Sequence, residues 1–188
     1  MQTWHRLMTD AEYYRFCTKI PDLRVERTAV GDILIMPPPG AETSFRNIEV
    51  TMQLGNWSRS DGHDRAFDSS VEYFLPSGAA YSPDASWVLR SRIDKLTRNE
   101  KRKFPPLCPD FVLELMSPLE DLAKLKTKMT EWIENGAQLG WLLDPDRRTV
   151  YVYRPDREPE QLINPESIAG EGPVAGFVLE LARVWAEL

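Results

Sequence analysis

The chain has 188 residues, 42% hydrophobic and 28% charged, with 23 basic and 29 acidic side chains and a net charge of −6. That balance supports a compact core and excludes disorder, while no apolar run is long enough to cross a bilayer as a helix. Two cysteines, Cys17 and Cys108, and two histidines, His5 and His63, exclude a disulfide framework and a multi-histidine or cysteine zinc centre.

Thr9-Asp10 caps a short helix over residues 11–19. Residues 23–28 and 32–36 flank Val30-Gly31 and read as a β-hairpin that ends at Pro37-Pro38-Pro39. A helix over 42–59 places Phe45, Ile48, Met52 and Asn56 on one face, read as the inner one, with Glu49 among them. The Asp61-Gly62 turn opens a β-rich stretch: 67–69, 71–75 and 81–89, with Pro76-Ser77-Gly78 as a break.

Next comes a basic segment. Arg90, Arg92, Lys95, Arg98, Lys101, Arg102 and Lys103 outnumber Asp94 and Glu100, a local charge of +5 against −11 for the rest. Its ordinary reading is a solvated face, and its functional reading is contact with phosphates. A strongly apolar strand over 110–116 follows. Ser117-Pro118-Leu119-Glu120 then reads as a capping box opening a helix that Gly136 stops, with Leu122, Leu125, Met129, Trp132 and Ile133 at helical spacing. Strands at 139–143 and 149–154 form a hairpin, and 177–188 is a short strand or helix packing Leu179, Leu181, Val184 and Trp185. Interleaved strands and helices predict a mixed sheet with helices against it.

Without GxGxxG or GxxxxGK[ST], chemistry falls to carboxylates and lysine. His5 near the chain end and His63 in a polar loop are poor members of a Ser-His-Asp triad. Along the strand 110–116, Asp110 and Glu114 share a face but stand roughly 13 Å apart, too far for one ion. Asp84, after Pro83 in another apolar run, is the natural partner of Glu114. Two carboxylates on neighbouring strands make a hard oxygen site suited to Mg²⁺ and phosphate oxygens. Lys126 and Lys128 lie on opposite flanks of the apolar helix stripe, and helix geometry alone does not choose between them. Each residue also has a structural reading: Glu114 paired with an arginine, Asp84 capping a turn, Lys128 lying along the helix flank.

Ser82-Pro83-Asp84, the run from Cys108 to Pro118, then Lys128, Gly136, Trp141 and Asp144-Pro145 resemble the Uma-type family of restriction-endonuclease-like proteins, within the PD-(D/E)xK nuclease superfamily. The resemblance covers most of the chain. It implies one restriction-endonuclease-like domain over 1–188, of α/β class, with a central mixed β-sheet flanked by helices. It also implies phosphodiester hydrolysis with a divalent metal, Mg²⁺ or Mn²⁺. Carried over by position, Asp84 and Glu114 hold the metal, Lys128 is the catalytic lysine displaced onto the following helix, and Glu49 is the additional helical acid. Met116 stands where the superfamily's lysine usually does.

The expected protein is therefore a Mg²⁺-dependent DNA endonuclease, with Arg90 to Lys103 as its phosphate-contacting flank. Cleaving both strands calls for two sites, hence a homodimer, with Trp132 and Trp185 either serving its interface or filling the core. The polar, charged start from Met1 to Arg15 is not a secretory leader, so the expected location is cytoplasmic. Two alternatives remain: a non-catalytic nucleic-acid-binding or assembly module on a degenerate nuclease fold, and a carboxylate-pair glycosidase, which lacks a sugar platform.

Overall fold

The computed structural model describes residues 8–61, 64–118 and 120–188. Both histidines, Gly62 of the predicted turn and Leu119 of the predicted capping box lie outside them. Helix α1 (Asp10–Lys19) opens as expected. The Thr9 hydroxyl accepts the Glu12 N–H while the Glu12 carboxylate accepts the Thr9 N–H. The hairpin of β1 (Arg24–Arg27) and β2 (Ile33–Met36) turns through Gly31 at φ 91°, a left-handed conformation that favours glycine.

Helix α2 (Ala41–Asp61) is present, but rotated from the expected orientation. Ile48 and Met52 are 59% and 48% exposed, while Val50 and Leu54 are buried and Trp57 packs against them. The helix carries apolar residues on both sides, so periodicity alone selected the wrong one. Next come β3 (Asp64–Asp68), β4 (Tyr73–Phe74), β5 (Ala80–Tyr81) and β6 (Ala85–Leu89). The single strand expected over 81–89 is thus two strands in two different sheets. Pro83, which has no N–H to give a ladder, marks the crossing.

The basic segment forms a short helix α3 (Arg90–Asp94) and a single 3₁₀ turn (Glu100–Arg102). Strand β7 (Phe111–Leu115), helix α4 (Leu122–Glu134) and strand β8 (Leu139–Asp144) follow as a β-α-β unit whose strands pair in parallel. Helix α4 starts later than predicted. Asp121 is its N-cap, accepting the Ala123 N–H, while Glu120 only reaches back to the Ser117 N–H. Gly136, at φ 116°, stops it as expected. Strand β9 (Thr149–Tyr153) completes the predicted hairpin, and β10 (Glu160–Ile163) extends it. Finally β11 (Ser167–Ala169) pairs with β12 (Val178–Glu180).

Among the described residues the strands make a six-stranded mixed sheet, β10-β9-β8-β7-β6-β3, a four-stranded sheet, β2-β1-β5-β4, and the β11-β12 ribbon. Alternation along β7 divides the core. Phe111, Leu113 and Leu115 meet Trp141, Leu54 of α2 and the C-terminal Phe177 and Leu181. On the other face Val112 meets Met129 and Trp132 of α4, with Tyr73 and Tyr81 of the smaller sheet. Both Trp132 and Trp185 are core residues, which removes them as dimer surfaces. No helix among the described residues is long and apolar enough to cross a membrane.

Candidate active site

The antiparallel register pairs Ala85 with Leu113, so Asp84 and Glu114, one step further along each strand, stand opposite each other where the two strands separate. Asp84 Oδ2 accepts the Leu115 N–H at 2.8 Å. Its Oδ1 lies 3.3 Å from Asn47 Nδ2 and 3.9 Å from Arg24 Nη2. Glu114 falls on the face of β7 covered by α4, because it alternates with Leu113 and Leu115. There Glu114 Oε1 accepts both the Trp132 indole N–H and the Lys128 ammonium, each at 2.9 Å. Lys128 and Trp132 are four residues apart and so project from one side of the helix. The ammonium also reaches Glu26 Oε1 at 2.9 Å. Lys126 takes the other flank, its Nζ 4.0 Å from the centre of the Tyr151 ring. Of the two lysines left open by the sequence, Lys128 is therefore the one that meets Glu114.

The electrostatics of this cluster are dominated by burial. Loss of solvent pushes the Asp84 carboxyl above the ordinary carboxylate range, against the pull of the Leu115 N–H, Arg24 and Lys128. Burial also raises Glu114, to about 7, with Lys128 opposing and Asp84 and Glu26 adding repulsion. For Lys128 burial disfavours the charge, but attraction from Glu114 and Glu26 outweighs it and lifts the pKa above that of ordinary lysine. Across this pair the ammonium prevails, because it gains from two acids at once. Three carboxylates thus share one ammonium and the Arg24 guanidinium, so acidic groups outnumber basic ones in the cluster.

A cavity of about 470 Å³ opens beside the cluster, lined by Asp84, Lys128, Arg24, Asn47, Glu120 and the Pro37-Pro38-Pro39 wall. The donors suit a hard divalent ion. Asp84 and Glu114 would supply carboxylate oxygens, and the Asn47 amide N–H faces Asp84 Oδ1 at 3.3 Å. No group of three or more His, Cys, Asp or Glu side chains arranged to hold a metal occurs among the described residues. The fit therefore rests on two carboxylates, a donor set that would leave most of the shell to water, as Mg²⁺ prefers.

Glu49 is placed elsewhere. It is buried as expected, but its Oε1 accepts the Arg183 Nε–H at 2.8 Å, next to the C-terminal segment. Two positions round a helix is about 200°, so α2 turns Asn47 rather than Glu49 towards Asp84. The basic segment is divided. Arg92 donates to Asp110 Oδ1 at 2.7 Å, Arg90 pairs with Asp94 at 3.5 Å, and Lys103 lies 5.2 Å from the Tyr14 ring centre. Lys95 and Arg98 are exposed. Lys101, Arg102 and Lys103 line a groove of about 470 Å³ that shares Tyr14 and Ser70 with a second one, of about 490 Å³. That second groove reaches Arg24, which also lines the Asp84 cavity. Sequence reasoning missed Glu26, Arg24, Asn47 and the hydrogen bond of Trp132. Only Trp132 carried a usable signal, its four-residue spacing from Lys128.

The profile of the Uma2 family, described as "Putative restriction endonuclease", matches residues 10–182. Among solved structures, a protein described as a "putative nuclease belonging to DUF820", from Anabaena variabilis, superposes with a TM-score of 0.76. It is 25% identical, with 95% of this chain and 97% of that chain covered. No curated protein matches. The match and the central mixed sheet flanked by helices identify a restriction-endonuclease-like fold, and fold and family together point to nuclease activity on nucleic acid. With nearly its whole length matched, the chain belongs to the Uma2 family of restriction-endonuclease-like proteins.

Proposed function

We propose that the protein is a divalent-metal-dependent endonuclease that hydrolyses DNA phosphodiester bonds, acting in the cytoplasm as a homodimer with one site for each strand. The observation that carries this reading is that Asp84 and Lys128 line one open cavity while Glu114, buried next to Asp84, pairs with Lys128 at 2.9 Å. Asp84 and Glu114 would hold Mg²⁺ or Mn²⁺, with the Asn47 amide N–H orienting Asp84. A bound ion supplies Lewis-acid charge to the phosphate and makes a coordinated water more acidic.

The remaining work falls to the chain. The Leu115 N–H and the Trp132 indole N–H each fix one carboxylate in a single orientation. Lys128, held as the ammonium, faces the phosphate and stabilises the charge that builds on its oxygens as water attacks. It does so from α4, which removes the need for a lysine at residue 116. Asp84, on the loop between the two sheets, and Glu114, on the strand beneath the helix, would hold the metal from a rigid base. The grooves running from Lys101, Arg102 and Lys103 past Tyr14 to Arg24 support an approach for the DNA backbone. Arg90, Arg92, Lys95 and Arg98 add positive charge on the same segment.

The test is incubation with supercoiled plasmid in Mg²⁺, Mn²⁺ or EDTA, alongside Asp84→Ala, Glu114→Ala and Lys128→Ala. Metal-dependent nicking that disappears in all three variants is the expected result. Undiminished nicking by the Asp84 or Glu114 variant overturns the assignment. No nicking by the wild type, with plasmid binding that weakens as salt rises, assigns the chain to a binding module instead.

A further inference from the structure

We propose that Glu26 is a positioning residue that holds the Lys128 ammonium at Glu114, an assignment that rests on the nuclease reading of this site. Glu26 lies on β1, in the smaller sheet, and its side chain is almost completely buried. One oxygen does two things: Glu26 Oε1 accepts the Ser82 N–H at 2.9 Å and the Lys128 ammonium at 2.9 Å. Ser82 begins the Ser82-Pro83-Asp84 crossing between sheets. A single carboxylate oxygen therefore ties the lysine to the segment that carries Asp84.

The direction of the contact matters. Lys128 lines both the Asp84 cavity and a neighbouring one of about 550 Å³, whereas Glu26 and Tyr81 line only the neighbour. Glu26 thus holds the ammonium at the boundary between the two cavities. A lysine side chain has four rotatable bonds, and one carboxylate partner leaves its tip free to swing about that partner. Glu114 and Glu26 together restrain it from two sides. The Tyr81 ring, its centre 5.3 Å from Nζ, adds a third, and that ring is itself anchored by a 2.6 Å hydrogen bond to Glu131. A buried ion pair is a poor way to cement two sheets, because desolvation offsets most of its attraction. Glu26 is better explained by where it puts the amine.

The experiment combines trace acetylation of lysines, read by peptide mass spectrometry, with nicking kinetics on plasmid in Mg²⁺ and Mn²⁺. It uses wild type, Glu26→Gln, which keeps an acceptor for Ser82, and Glu26→Asp, which keeps the charge on a shorter arm. Glu26→Gln is expected to raise Lys128 acetylation several-fold while Lys124 and Lys126 on the same helix stay at wild-type rates. Its kcat for nicking falls about tenfold with KM within about twofold, and Glu26→Asp recovers part of the loss. Unchanged Lys128 acetylation overturns the proposal. A parallel rise at all three lysines in both variants also overturns it, since that is the signature of a loosened fold. Selective Lys128 exposure with an unchanged kcat removes the catalytic half of the claim. Should the wild type cut nothing while Lys128 still responds selectively, the hold on Lys128 stands and the nuclease reading falls.

Discussion

Asp84 Oδ2 accepts the Leu115 N–H at 2.8 Å, so a carboxylate that faces the cavity also closes the hydrogen bonding at the end of β7. One side chain thereby serves both the sheet and the site, and two substitutions separate the roles. Asp84→Asn keeps an oxygen for the Leu115 N–H and loses only the charge. Asp84→Ala leaves a buried donor unsatisfied, which costs about 1–3 kcal/mol. Urea unfolding is expected to place the asparagine variant near wild type and the alanine variant below it, with nicking lost in both. Equal stabilities would remove the structural half of this account.

Among the described residues, Trp132 and Lys128 are the two donors to the Glu114 carboxylate. Trp132→Phe keeps an aromatic ring in the core and deletes the indole N–H. Glu114 then depends on Lys128 alone, and the smaller ring leaves a void. Thermal unfolding is expected to fall by several degrees, with a loss of about 2–4 kcal/mol. The more telling measurement is kcat, which drops as the carboxylate gains freedom. A variant that melts lower yet nicks at the wild-type rate denies Trp132 any part in orienting Glu114.

The strand carrying Glu114 and the helix carrying Lys128 were legible because each combines an apolar pattern with a chemically awkward residue. Helix α4 was announced by Leu125, Met129 and Trp132, and its end by Gly136. The wrong face of α2 has a simple cause: Phe45, Ile48 and Met52 repeat at helical spacing as regularly as Val50 and Leu54 do. Only the position of the sheet decides which set is covered. Pro83 hinted at a break but not that the chain changes sheets there, a consequence of tertiary pairing. Glu26 was invisible because β1 has four residues, and Val25, Glu26 and Arg27 are all buried without alternation. Strand β10 is largely exposed and polar, so no pattern marked it.

Glu72 gives the fold a pH dependence. Its Oε1 accepts the Tyr13 hydroxyl at 2.7 Å beneath α1. Burial raises its pKa from 4.5 to about 7; the Tyr13 bond opposes the shift and Glu26 adds repulsion. Between those values the folded chain keeps a proton that the unfolded chain releases. The contribution to stability is therefore complete below pH 4.5 and is lost as pH rises through about 7. Glu72→Gln, neutral throughout, removes that slope. Its unfolding free energy is expected to exceed wild type at pH 8 by up to about 3 kcal/mol and to match it near pH 4.5. Parallel pH curves for the two proteins contradict the assignment.

The basic segment is expected to split by function. Lys101 and Arg102 are exposed and line the groove beside Tyr14, so alanine at either position lowers the salt slope of DNA binding by about 1. Arg92 is held by Asp110, whose other oxygen accepts the Leu89 N–H at 2.9 Å. Arg92→Ala is expected to leave the slope nearly unchanged and cost about 1 kcal/mol of stability, modest because the pair is partly exposed. Filter binding between low and physiological salt distinguishes the two groups. A full unit of slope lost on removing Arg92 would place that residue on the nucleic acid after all.

Asn47 and Glu49 sit two residues apart on α2 and face different parts of the molecule. Asn47 donates its amide N–H to Asp84 Oδ1 at 3.3 Å, whereas Glu49 is engaged by Arg183. Their removal should therefore be felt in different measurements. Asn47→Ala deletes the N–H that orients Asp84 and is expected to weaken Mn²⁺ binding about tenfold by titration calorimetry. Glu49→Gln keeps the acceptor for Arg183 and is expected to hold Mn²⁺ affinity within about twofold, with a stability change below about 1 kcal/mol because Arg183 is largely exposed. The reverse outcome, with Mn²⁺ affinity following Glu49 and ignoring Asn47, would mean that metal binding reorganises α2. A carboxylate would then displace the amide, and the Arg183 contact would mark only the metal-free state.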